Sequence, residues 1–104
     1  MTDFSQNDYI HYVILLSVNK GKQLTEPIIR EHVSHLRNLD EQKQLVLCGP
    51  FLDYKGGMII IKAKSIEEAR EIAESDPFVK SGIESYEIRT LEISCEENNH
   101  HGMG

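Results

Sequence analysis

Residues 25–50, TEPIIREHVSHLRNLDEQKQLVLCGP, read as one amphipathic helix running directly into a buried strand that ends at Gly49-Pro50. Thr25 stands where an N-cap belongs. Glu26 and Pro27 suit a first helical turn, where a carboxylate meets the positive end of the helix dipole and a missing N–H costs nothing. Spacing the residues at about 100° per position gathers Ile28, Leu39, Leu36, Ile29 and Val33 on one arc. Arg30, Glu31, Ser34, Arg37, Asn38 and Glu41 fall opposite. One titratable side chain, His32, projects into the apolar arc beside Leu36 and Leu39, while His35 lies at the arc's edge. Two readings of His32 follow: a core histidine satisfied by backbone carbonyls, or an imidazole held in a pocket for proton chemistry.

The rest of the chain places this unit. Tyr9–Val18, YIHYVILLSV, is nearly continuous in apolar residues, as a central strand buried on both faces would be. His11 alternates with Val13 and Leu15 on one face, and is read either as a packing or interface residue or as a second candidate for chemistry. Gln44–Cys48 is a short strand, Phe51–Gly57 a hairpin loop, and Met58–Ala63 the returning strand. Ser65 with Glu68 forms a capping box opening a second helix that ends at Ser75, with Ile66, Ala69, Ile72 and Ala73 as its packing stripe. Asp76-Pro77-Phe78 begins a tight helical turn closed by Gly82, and Asp76 is its natural cap. Glu84–Ile93 is a last strand, half polar at Glu87 and Arg89.

The order β-α-β-β-α-β is the ferredoxin-like α+β plan, a four-stranded antiparallel sheet with both helices on one face. Strands apolar on both faces would leave the helix-free face as a large wet patch, so a homodimer stacking sheet on sheet is expected. In this plan the second helix ends near the start of the first. His32 lies about 10 Å down the first helix, and Asp76 sits at the matching end of the second. A carboxylate there reaches the core-facing imidazole, fixing its tautomer and stabilising its cation.

Composition narrows the function classes. A chain of 104 residues makes one small domain, expected over residues 9–94 between a flexible leader (1–8) and a flexible tail (95–104). A formal charge of −6 argues against nucleic acid or an anionic membrane as partner. Apolar runs of strand length and a polar start exclude a membrane span and a signal peptide. Cys48 and Cys95 lie far from any CxxC spacing, which favours free thiols in a cytoplasmic protein over a disulfide or zinc site. Adjacent His100 and His101 lack the spacing of a formed metal site.

The ordered set of motifs resembles the YCII-related (YciI-like) family across nearly the whole domain. It comprises His32, Leu36, Leu39 and Leu45 ahead of Gly49-Pro50, the glycines Gly56-Gly57, Ser65-x-x-Glu68-Ala69, Asp76-Pro77-Phe78 with Gly82, and Glu87-Ile88-Arg89. Three departures stand out: Val33 for the usual leucine, Lys43 where the family has glycine, and Thr90 where a proline usually follows the arginine. The resemblance implies a dimeric α+β barrel and a site pairing His32 with Asp76. It further implies lyase-like or isomerase-like proton chemistry on a small cyclic or aromatic molecule, with no metal or organic cofactor. The rival reading is a non-catalytic ligand-binding or interaction module on the same barrel. A cofactor-free or haem-dependent monooxygenase is a third, for which the residues give no separate signal.

Overall fold

The computed structural model describes residues 8–103. The expected leader, apart from Asp8, lies outside them, as does Gly104. The elements are β1 (Ile10–Val18), α1 (Glu26–Glu41), β2 (Leu45–Pro50), β3 (Gly56–Ile61), α2 (Ile66–Ser75), α3 (Pro77–Lys80) and β4 (Glu84–Glu92). The sheet order is β2-β3-β1-β4, with every neighbouring pair antiparallel. This is the ferredoxin-like α+β architecture. Tyr12, Ile14 and Leu16 of β1 and Ile59 and Ile61 of β3 share one face of the sheet. There they meet Leu39 of α1 and Ala69 and Ala73 of α2 in a single core. The buried alanines of α2 bring that helix close to the sheet, and Ser65 caps it by accepting from the Glu68 N–H at 3.1 Å.

One expectation about packing is corrected. β2 is an edge strand rather than a buried one: Val46 is 45% and Leu47 56% exposed. Its edge position is also why it continues through Pro50, since a residue without an N–H is tolerated only where no ladder bond is missed. The helix-free face of β1 is only partly covered in the single chain, with Val13, Leu15 and Ser17 half-buried.

The apolar arc of α1 is seated only at its lower end. Leu39 is its one fully buried residue, and Ile29, toward the start, is 40% exposed. Thr25 occupies the N-cap position without a side-chain cap bond. At the other end Gln44 N–H donates to Leu39 O (2.9 Å) and Lys43 N–H to Asp40 O (3.0 Å), the bonding of a Schellman turn. That turn needs a left-handed residue, and Lys43 supplies it at φ 61°. A lysine thus adopts the conformation that suits the glycine expected at this position.

Beyond β4, Glu96–Asn98 forms a 3-10 turn, and Asn98 Nδ2 donates back to Ile93 O at 2.7 Å. A further turn covers Asn99–Gly102, with His100 and His101 both left-handed.

Candidate functional site

The upper half of α1 stands off the sheet, and a cavity of about 470 Å³ opens beneath it. That volume suits a small organic molecule; such sites span about 300–1,000 Å³. Ile29, Val33 and Leu36 wall it from the helix, Leu16 and Ile59 from the sheet. The far wall is backbone-rich, formed by Gly49-Pro50 and Gly56-Gly57 where the β2–β3 hairpin closes. The two hairpin glycines are required by close approach. A Cβ on Gly56 would lie 2.0 Å from Leu16 O, and one on Gly57 2.8 Å from Gly49 O.

His32 enters this cavity from α1, and Asp76 lies behind it at the start of α3. His32 Nδ1 is 2.9 Å from Asp76 Oδ1. The same oxygen accepts the Phe78 backbone N–H at 2.9 Å, so the helix cap and the imidazole partner are one atom. Asp76 is only 1% exposed, and its other oxygen has no hydrogen-bond partner among the described residues. The Phe78 ring stacks on the imidazole, with centroids 3.8 Å apart and planes 10° apart. One contact therefore sets the direction of Nδ1 and the other sets the plane of the ring. A carboxylate only accepts, so a carboxylate at this distance pairs with the tautomer that carries its proton on Nδ1 and leaves Nε2 unprotonated in the neutral ring.

The remaining histidines lie elsewhere. His35 is partly buried with Nε2 unpaired among the described residues, and does not line the cavity. Burial holds its pKa below the ordinary histidine value, against the charge of Asp76, while His32 also lowers it. His11 is buried on the sheet face away from α1 and α2, opposite Leu91. His100 and His101 meet Ser94 (3.2 Å) and Glu92 (3.3 Å). Among the described residues no group of three or more His, Cys, Asp or Glu side chains is placed to hold a metal ion. Cys48 reaches the cavity wall as a thiol whose pKa is raised, by burial first and Asp40 second, which makes it a poor nucleophile.

One polar wall residue escapes a reading based on β4's polar positions. Glu84, the first residue of β4, is 4% exposed and opens into the cavity. Its carboxyl pKa is raised by burial first and by the charge of Asp76 second, with His32 pulling the other way. The signal was its phase: Glu84 alternates with Tyr86 and Ile88 toward the helices, whereas Glu87 and Arg89 face the other side.

Comparison with known proteins agrees with this fold. The model of the YCII-related domain matches residues 10–92. The chain belongs to the YCII-related family. Within reach of this family member is the uncharacterized protein YjpA of Bacillus subtilis (strain 168), 35% identical over 82 residues, covering 79% of this chain and 96% of YjpA. A solved structure with the same fold is the 5-chloro-2-hydroxyhydroquinone dehydrochlorinase TftG from Burkholderia phenoliruptrix, in complex with 2,5-dihydroxybenzoquinone. The TM-score is 0.70 at 22% identity, covering 86% of this chain and 99% of TftG. His32, Gly49-Pro50, Gly56-Gly57 and Phe78, motif residues of this YCII-related chain scattered along the sequence, all converge on the one cavity. No helix among the described residues is long and apolar enough to cross a membrane.

Proposed function

We propose that this YCII-related protein is a cofactor-independent acid–base enzyme, of lyase or isomerase type, acting on a small cyclic or aromatic molecule in the α1–sheet cavity. The observation that carries the reading is the 2.9 Å contact of His32 with the buried Asp76 at the wall of an otherwise largely apolar pocket. His32 Nε2 removes a proton from the bound molecule, and Asp76 stabilises the imidazolium that forms. Phe78, stacked on the ring, favours the same cation through its π face. Returning the proton at another atom of the substrate gives isomerisation; expulsion of a leaving group from the deprotonated substrate gives elimination. The chemistry named for TftG, loss of chloride from a hydroquinone, belongs to the elimination class and supports the reading.

The proposal includes a homodimer through the helix-free sheet face, where Val13, Leu15, Met58 and Ile60 adjoin one another by register. It also includes a cytoplasmic location, which the two free thiols suit. The test is proton exchange. Hydroxylated arenes, quinones and cyclic ketones are incubated with the protein in deuterium oxide, and proton NMR follows loss of carbon-bound hydrogen. The wild type should exchange at least one of them, with His32→Ala reducing the rate about 100-fold or more. Binding without exchange would move the protein to the ligand-binding class, and exchange unchanged in His32→Ala would remove His32 as the base.

A further inference from the structure

Glu84 sits where the proton chemistry proposed for His32 leaves it without a task. It is a carboxyl group on the sheet layer, opening into the same cavity that His32 enters from the helix layer. A buried carboxyl in an apolar wall is costly unless a hydrogen-bond partner meets it. Its chain neighbours fix its place: Glu84 pairs in register with Val18, and the Asn19 N–H donates to Ile83 O at 2.8 Å. The side chain is thus mounted on a strand rather than on a mobile loop, as a positioned ligand group requires.

The charge pattern of the walls adds a second constraint. Among the described residues lining the cavity, none is lysine or arginine. The one basic side chain, His32, is already engaged by Asp76 at 2.9 Å. An anionic ligand would enter a pocket whose one acidic wall residue is Glu84, with the Asp76 carboxyl behind the imidazole, in a chain of net charge −6. Like charges at such range in a poorly solvated site are repelled. An uncharged ring bearing oxygen meets no such penalty, because a carboxyl accepts from a hydroxyl in either protonation state and donates to a carbonyl when protonated.

We infer that Glu84 is a second ligand-contacting group of this site, holding an oxygen of the bound ring while His32 acts on another part of it. With Asp76 it selects uncharged oxygenated ring compounds over carboxylates. The inference rests on the acid–base reading of the same cavity and adds to it the substrate class and a residue that enforces it.

Calorimetric titration at pH 7 with hydroquinone, 4-hydroxybenzamide and 4-hydroxybenzoate tests it; the last two differ chiefly in charge. The wild type should bind hydroquinone and the amide, and the carboxylate about tenfold or more weakly. Glu84→Ala should weaken hydroquinone about tenfold, the worth of one hydrogen bond. Glu84→Gln, which keeps an acceptor and a donor, should retain hydroquinone and narrow the gap between amide and carboxylate. Equal binding of amide and carboxylate by the wild type would overturn the inference. So would hydroquinone affinity unchanged in Glu84→Ala, or no binding of hydroquinone at millimolar concentration. The His32–Asp76 pairing is measurable without any ligand, by the ring tautomer, so failure here with that tautomer intact removes the inference about Glu84 and leaves the acid–base reading standing.

Discussion

Asp76 Oδ1 serves two partners, and a double-mutant cycle between Asp76 and His32 separates them. Asp76→Ala removes the cap bond to Phe78 N–H, worth about 1 kcal/mol. It also removes the bond from His32 Nδ1, a hydrogen bond to a charged group worth about 1.5–3 kcal/mol. The single mutant mixes these losses with a gain, because the buried Oδ2, unpaired among the described residues, disappears as well. The cycle of Asp76→Ala, His32→Ala and the double mutant cancels the cap and the Oδ2 contribution and isolates the pair. Urea unfolding at pH 7 should give a coupling energy of about 1.5–3 kcal/mol. Additivity within about 0.5 kcal/mol would show that the contact contributes nothing to stability and that Asp76 is a helix cap alone.

Three further outcomes follow from other parts of the molecule. Glu84 is protonated more readily in the folded state than in the unfolded chain, so its contribution to stability is full below the ordinary glutamate value of 4.5 and is lost as pH rises through the raised folded value. Glu84→Gln, which does not titrate, should therefore exceed the wild type in stability at pH 7 and lose that advantage below about pH 4; a pH-independent difference in melting temperature would contradict this. Lys43→Gly should stabilise by about 0.5–1 kcal/mol, the relief of a left-handed side chain less the extra freedom of glycine in the unfolded chain; a loss of stability would mean that the lysine side chain makes a compensating contact. Light scattering at micromolar concentration should give twice the mass of the chain, and Ile60→Asp, placed on the helix-free face, should reduce it to one; a wild-type monomer would refute the dimer.

The sequence carried the fold through periodicity. The 3.6-residue arc of α1, the Ser65 capping box and the alternation of β1 fix the element order, and the order leaves little choice of sheet. It carried the relation of His32 to Asp76 because an angle on one helix and a cap on the next were joined by topology. Edge position was not legible in the strand's own composition: Val46-Leu47-Cys48 is as apolar as a central strand, and it is the strand order of the ferredoxin-like plan that leaves β2 one neighbour. Nor was the cavity. Periodicity says which side of α1 faces the sheet but not that Ile29 and Val33 line a cavity there. Glu84 was not legible because one more charged residue at the start of a half-polar strand does not differ in composition from Glu87 and Arg89, which lie on the opposite face.

The central claim is that Asp76 holds the His32 imidazole with its proton on Nδ1, leaving Nε2 as the base that meets the substrate. Long-range proton–nitrogen NMR of the histidine rings at a pH where His32 is neutral reads the tautomer directly. Protonated Nδ1 and unprotonated Nε2 in the wild type, with the preference lost in Asp76→Ala, is the predicted result. A wild-type ring carrying its proton on Nε2 would contradict it.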